Sequence, residues 1–241
     1  CAQTLPPSEI ILVKDGSLPE SLEAVVSRFI DRLPLVPVLY EGEGHLGGAL
    51  ALGITLCNHD IVARMDTDDI AVPKRFERQL AYFKANNCDL LGGAITEFYD
   101  DPNEPLSQRL MALSPTKKQI EMRNPVNHMT VMFRRHAVLG AGNYRVMPGF
   151  EDWYLWLRMH ASGAHILNMP DVLIKARTNR SFASRRSGRE YRQQERAALA
   201  TFRSENLLSW TSYFQTLVLR SGVRLLPSQL LMSIYHIFLR R

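Results

Sequence analysis

Apolar positions along the first hundred residues fall into two alternating rhythms, short unbroken runs and longer stretches with helical spacing. Ile10 to Val13 is a run of four closed by an Asp-Gly turn at Asp15, which predicts a buried strand. "SLPESLEAVVSRFIDRL" then repeats apolar residues at three- and four-residue intervals, with Ser17 three residues ahead of Glu20 as a capping box and Pro19 in the first turn. "VPVLY" predicts a second strand, "GGALALGITL" a helix behind a glycine-rich turn, and "DIVARMD" a third strand. "VPKRFERQLAYFKANN" predicts a helix entered through Pro73, and "CDLLGGAITEFY" a fourth strand. Strands alternating with helices of this length imply βαβ units, hence a Rossmann-like α/β class with a mostly parallel sheet flanked by helices.

The rhythm changes after Tyr99. A polar loop, "DDPNEPLSQ", leads to a predicted strand "HMTVMFRR", a helix "EDWYLWLRMHASG", and "AHILNMPDVLIKAR" as strand, turn and strand. From Ser181 onward only helical patterns occur. The expected organisation is a domain over 1–180, split into halves 1–105 and 106–180, with a helical extension over 181–241. The first predicted strand begins almost at the start of the chain, so an N-terminal strand and loop usual in nucleotide-binding α/β folds are expected to be absent.

Composition refines this picture in two ways. At 241 residues, 46% hydrophobic and 22% charged, the chain suits a globular protein with a sizeable core. Its three cysteines, at unrelated spacings, fit neither a disulfide framework nor a zinc site and point to a reducing, cytoplasmic setting. No apolar stretch is long enough to span a bilayer. The net charge of +5 is unevenly placed: residues 174–241 hold 13 Lys/Arg against 3 Asp/Glu, the preceding 173 residues 16 against 21. A basic tail on an acidic body suits a polyanion or an anionic membrane surface, or is only a solvated helix. In "LLPSQLLMSIYHIFLRR", Gln229, Ser233, His236 and Arg240 form one narrow polar stripe, as in a helix packed on two sides or lying at an interface. Peripheral contact through 220–241 with the cytoplasmic leaflet is expected, and self-association is left open. No nucleic-acid motif is present, and aromatics and arginines do not interleave on a predicted sheet.

Candidate chemistry is concentrated in acids. "ARMDTDDIAVPKRF" places Asp66, Asp68 and Asp69 at the end of the third strand, where open α/β sheets bind ligands. In extended geometry Asp66 and Asp68 point the same way, so they form either a Mg²⁺ or Mn²⁺ site completed by phosphate and water or caps for the following helix, Asp69 above all. Asp15, at the end of the first strand, is a nucleotide contact or a turn residue. Glu151 and Asp152 open an amphipathic helix, as caps or as a general base among aromatics. Arg64 and Arg75 are placed to neutralise acids or phosphates. "KARTNRSFASRR" (175–186) has the guanidinium density of a diphosphate clamp, and His128, alone before a strand, reads as structural.

Taken in order, "TLPPSEIILVKDGS", "GGALALG", "ARMDTDDIAVPKRFERQL", "GFEDWYLWLRMHASG" and "NMPDVLIKAR" resemble the family 2 glycosyltransferases of bacteria, those of the capsule, O-antigen and exopolysaccharide type. The resemblance runs from about residue 2 to 180 and is weak over the last 60. It implies a GT-A fold that binds a nucleotide-diphosphate sugar, UDP-linked by expectation, through Mn²⁺ or Mg²⁺. Asp15 would contact the nucleoside, Asp66 the ribose and sugar, and Asp68 the metal, with Asp69 an alternative ligand in this DXD motif. Asp152 of the E-D pair would be the catalytic base, with Glu151 beside it. The family's aromatic ahead of its later arginine is replaced here by Ala176, ahead of Arg177. The implied reaction is inverting transfer to a hydroxyl of a glycan or lipid-diphosphate-linked glycan in cell-surface polysaccharide synthesis. A metal-dependent sugar nucleotidyltransferase is the alternative.

Overall fold

The computed structural model describes residues 2–42, 44–178 and 188–223. Most of the arginine-rich 175–186 segment, the boundary at 180/181 and the striped helix over 227–240 therefore lie outside the described residues. Strands β1 (Ile10–Asp15) and β2 (Leu35–Tyr40) pair in parallel across α1 (Glu20–Ile30) as a two-stranded sheet. A six-stranded sheet holds the rest: β3 (Ile61–Ala63), β4 (Ile70–Ala71), β5 (Leu90–Phe98), β6 (Ser107–Arg109), β7 (Met132–Arg134) and β8 (Ile166–Arg177). Its order is β3-β7-β5-β8-β4, with β6 pairing on β5.

The parallel pairing expected from the alternation holds the longest ladders, and short antiparallel strands are added beside them. The two longest ladders, β1 with β2 and β5 with β8, are parallel, while the other four pairings are antiparallel. The antiparallel partners are strands of two or three residues whose apolar runs are too short to carry a readable period. The predicted strand-turn-strand around Pro170 is a single strand, β8, whose register against β5 shifts near Ala94. Pro170, at an exposed point of β8, is absorbed at that irregularity. The predicted strand "HMTVMFRR" resolves into a 3₁₀ turn (His128–Thr130), β7, and α5 (Arg135–Gly140).

The helices α2 (Leu46–Leu56), α3 (Arg75–Ala85), α4 (Lys117–Met122), α6 (Glu151–Ala161), α7 (Arg189–Ser204) and α8 (Trp210–Val223) complete the described fold. The capping box expected at Ser17 does not form; α1 starts from Pro19 with no side-chain cap. A capping box does occur at α4, where Thr116 and Gln119 satisfy each other's backbone donors.

Burial is unequal. Eight of the nine residues of β5 are buried, and the two sides of this central strand carry separate cores. Leu90 belongs with Trp153, Trp156, Leu155 and Phe202 on the α6–α7 side, and Leu91 and Ile95 with Phe83, Leu173 and Ile174 on the α3 side. Helix α1, by contrast, buries no residue and leaves Leu22, Val25 and Ile30 exposed.

Candidate active site

The acidic segment after β3 is held at both ends. Arg64 N–H donates to Val131 O at 2.9 Å, and β4 pairs with the end of β8. Between these ties the chain turns, Asp69 N–H reaching back to Asp66 O at 3.3 Å. The extended geometry expected for 66–68 is thus replaced by a turn, and the turn gathers more acids than a strand end could. One carboxylate oxygen each from Asp66, Asp68 and Asp69 lies within 4.8 Å of the others.

Crowding on a half-buried turn raises the proton affinity of Asp66 and Asp69. Asp66 is pushed up by burial and by Asp68, against the opposing charge of Arg64 at 2.5 Å. Asp69 is pushed from 3.8 to about 6, by burial first and by Asp66 and Asp68 in addition. Its Oδ1 accepts Arg177 N–H at 2.8 Å, while its buried Oδ2 has no hydrogen-bond partner. Asp69 does not cap α3, whose first turn starts at Lys74 without a side-chain cap. A buried carboxylate oxygen left unpaired among two further acids is what a hard divalent cation with oxygen ligands would satisfy.

Arg75 stands behind this turn rather than in front of it. It is fully buried, donates to Arg64 O at 2.7 Å and to Gln79 Oε1 at 3.2 Å, and burial lowers it to about 10. Its donors are spent on the protein, so of the two roles expected from sequence it is placed for neutralising acids, buttressing the turn with its charge on Asp66 and Asp69. Arg177 is in front: its Nη1 donates to Tyr99 O at 3.1 Å and its guanidinium lies 4.8 Å over the Phe98 ring. Ala176 supplies no aromatic, but β5 supplies one from across the sheet.

The second acidic pair sits at the start of α6. Asp152 Oδ2 accepts from Asn124 Nδ2, and Oδ1 accepts Trp153 N–H at 2.7 Å. His128 Nδ1 stands 3.7 Å from Oδ2, and His128 Nε2 is 2.9 Å from the Tyr144 hydroxyl. Glu151 is buried and pushed up, by burial first and then by Asp152. Tyr144 connects the two groups. Burial raises its hydroxyl far above the usual value, while the charges of Arg64, Asp152, Glu151 and Asp66 all reach it. Charge from both acidic groups thus bears on the Tyr144 hydroxyl. Asp15 ends β1 in the two-stranded sheet, exposed.

Sequence reasoning missed Asn124 and Tyr144 and took His128 as structural. The clue to Asn124 and His128 is polarity inside an apolar segment, "NPVNHMTVMF". Tyr144, in a glycine-flanked loop, gave no signal.

The chain has relatives over nearly its whole length. The chain is 39% identical over 238 residues, 97% of its own length and 88% of the relative's, to the amylovoran biosynthesis glycosyltransferase AmsE of Erwinia amylovora. It is 30% identical over 240 residues, 99% of the chain and 87% of the relative, to the UDP-Gal:alpha-D-GlcNAc-diphosphoundecaprenol beta-1,3-galactosyltransferase of Escherichia coli. In fold it is similar to S. aureus TarS 1-349 solved with UDP-GlcNAc, at a TM-score of 0.65 and 16% identity, covering 83% of this chain and 59% of that one. It is similar also to the Pyrobaculum calidifontis mannosyltransferase PcManGT solved with GDP-Man and Mn2+, at a TM-score of 0.61 and 16% identity, covering 83% and 57%. The chain spans under two thirds of these two solved proteins, and they speak for the GT-A fold alone. The model of the glycosyl transferase family 2 matches residues 1–139. With that family model over more than half of its residues and relatives of this kind over nearly its whole length, the chain belongs to the family 2 glycosyltransferases and is an enzyme of that class.

Proposed function

We propose that this chain moves a sugar from a nucleotide-diphosphate sugar, UDP-linked, to a hydroxyl of a lipid-diphosphate-linked glycan, with inversion at the anomeric carbon. The observation that carries the reading is the pairing of a three-acid turn, one buried oxygen of which has no hydrogen-bond partner, with a separately held carboxylate, both bearing on the Tyr144 hydroxyl. Asp66, Asp68 and Asp69 would hold Mn²⁺ or Mg²⁺, with Asp68, the exposed member, first. A divalent cation there neutralises the diphosphate leaving group as its charge builds. Arg177, in front of the turn, stabilises the same charge, and Arg64 keeps Asp66 ionised beside the ribose. Asp15 contacts the nucleoside from the end of β1. Asp152 accepts the proton of the attacking hydroxyl, and a single base without a covalent nucleophile calls for inversion. The lipid-diphosphate acceptor follows the E. coli relative, a galactosyltransferase named for a GlcNAc-diphosphoundecaprenol acceptor.

Among the described residues no helix is long and apolar enough to cross a membrane. Peripheral contact at the inner face of the cytoplasmic membrane is supported by the +10 balance of residues 174–241. On α8, Trp210, Phe214 and Val218 recur every fourth residue and are exposed, with the first two rings stacked at 5.8 Å. A basic segment bearing exposed aromatics suits an anionic interface. The stretch beyond 223 lies outside the described residues.

Thermal melting of the protein with UDP-, GDP- and dTDP-sugars, each with and without Mn²⁺, tests the donor and metal together. Stabilisation by one nucleotide sugar only when Mn²⁺ is present is expected. Indifference to all of them, with or without metal, would sink the reading. The anomeric configuration of the product, read by NMR, tests inversion. Co-sedimentation with anionic liposomes, before and after removal of 220–241, tests the tail, and equal partitioning would remove the membrane contact.

A further inference from the structure

The chain around Asp152 is more elaborate than an acid at a helix start requires. Three elements converge on its carboxylate: Asn124 from the loop after α4, His128 from the 3₁₀ turn before β7, and Trp153 N–H from α6 itself. His128 is further engaged on its other side by the Tyr144 hydroxyl at 2.9 Å, and Trp156 closes over the ring edge-on at 5.9 Å. A lone buried histidine serving packing needs no such chain of partners ending at a carboxylate.

We propose that the Tyr144 hydroxyl fixes the tautomer of His128 so that Nδ1–H is turned toward Asp152, making Tyr144 and His128 positioning residues for the proton-accepting carboxylate. This rests on the reading of Asp152 as the base. A neutral imidazole has one N–H, and which nitrogen carries it is set by the partner of the other. His128 is held neutral by its burial and by the nearby positive Arg64, which lower its affinity for a second proton. Tyr144 keeps its proton for the corresponding reason, burial. With Tyr144 O–H donating to Nε2, the ring proton is on Nδ1 and faces the carboxylate. At 3.7 Å the pair is longer than a hydrogen bond, a spacing that tightens when an acceptor displaces solvent.

The arrangement answers a local charge problem. Asp152 is next to Glu151 on α6, and Asp66 bears with them on the Tyr144 hydroxyl. Among the described residues, the neutral donors Asn124, His128 and Trp153 N–H stand against it, and the positive Arg64 acts on the neighbouring Glu151 and Tyr144. Removing the imidazole N–H leaves the negative neighbours less opposed, so the carboxylate stays protonated to higher pH. Were the tautomer reversed, the Nδ1 lone pair would face the carboxylate and the repulsion would act in the same direction.

The test is the pH dependence of kcat/KM for the acceptor in Y144F, H128A and H128N, with donor affinity measured by calorimetry in the presence of Mn²⁺. Asn at 128 keeps an amide N–H where Nδ1–H stands, whereas Ala does not. In H128A and Y144F the acidic limb should move up by about one unit, a tenfold change in proton affinity. Donor affinity should stay within about twofold, and H128N should keep the parent limb. All three variants lose packing and melt earlier, so melting alone does not account for a shifted limb. An H128A profile that superimposes on the parent overturns the proposal, as does an H128N limb displaced as far as that of H128A. If H128A does not fold, Y144F, which loses one oxygen, decides alone. D152N separates the two claims: transfer surviving in D152N removes the base reading and this inference with it, whereas loss of transfer with unmoved limbs removes only the inference.

Discussion

Two acidic groups bear on the Tyr144 hydroxyl and are treated in opposite ways. The turn at 66–69 gathers three carboxylates and gives them few donors: one arginine on Asp66, one backbone N–H on Asp69, and a buried Oδ2 left unpaired. The helix start at 151–152 gives Asp152 donors on both oxygens and a second layer behind them. The first group is strained as it stands and gains from a cation. The second already has a donor on each oxygen of Asp152. Equal residue types thus acquire different chemistry from what their neighbours donate.

The comparison is most directly broken at Asp152. D152N is expected to reduce transfer by about 10²–10⁴-fold, the worth of a positioned base, with Mn²⁺-dependent donor binding retained. Steady-state transfer and calorimetry on the same protein check both halves, and lost donor binding would merge the two groups into one. D68N should do the converse, weakening Mn²⁺-dependent donor binding by about 10²-fold or more, since even residues behind a metal ligand are worth 10–100-fold. Unchanged metal dependence in that titration would refute the cation role of the turn.

Behind the turn, R75M should cost about 1–3 kcal/mol by chemical denaturation, because the Arg64 carbonyl loses its buried donor. A variant as stable as the parent would show that Arg75 is no buttress. His128 adds a pH signature to stability. Its affinity for protons in the fold is held well below the ordinary 6.5 by burial, so the unfolded chain binds the extra proton and stability falls as pH drops through about 6.5. H128N should lack that part of the decline, and identical slopes in pH-dependent melting would contradict it. Smallest is E151Q, expected to change transfer by less than about tenfold because Glu151 is buried and already bonded to the backbone N–H groups of Gly149 and its own residue. A loss in E151Q equal to that in D152N would transfer the base role to Glu151.

Much of this was legible in the chain. The strands ending at Asp15 and near Arg64, the helix opening at Glu151 and the long β5 follow from runs and spacings that local burial enforces. The 3₁₀ turn at His128 and the two-residue β4 were not, because segments that short have no period to read. The support of Asp152 was hidden for a different reason: Asn124, His128 and Tyr144 lie 28, 24 and 8 residues away from it in the chain, and nothing local ties them together.

The amino-acid sequence by itself determined where acids meet strand ends and helix starts, since hydrophobic runs set the elements and polar residues collect at their ends. Only the tertiary structure decided which acids are answered by donors and which are left for a cation. It decided as well that Arg75 faces inward and Arg177 outward. Charge and hydrogen bonding act over a few ångströms in space, and folding alone sets which residues come that close.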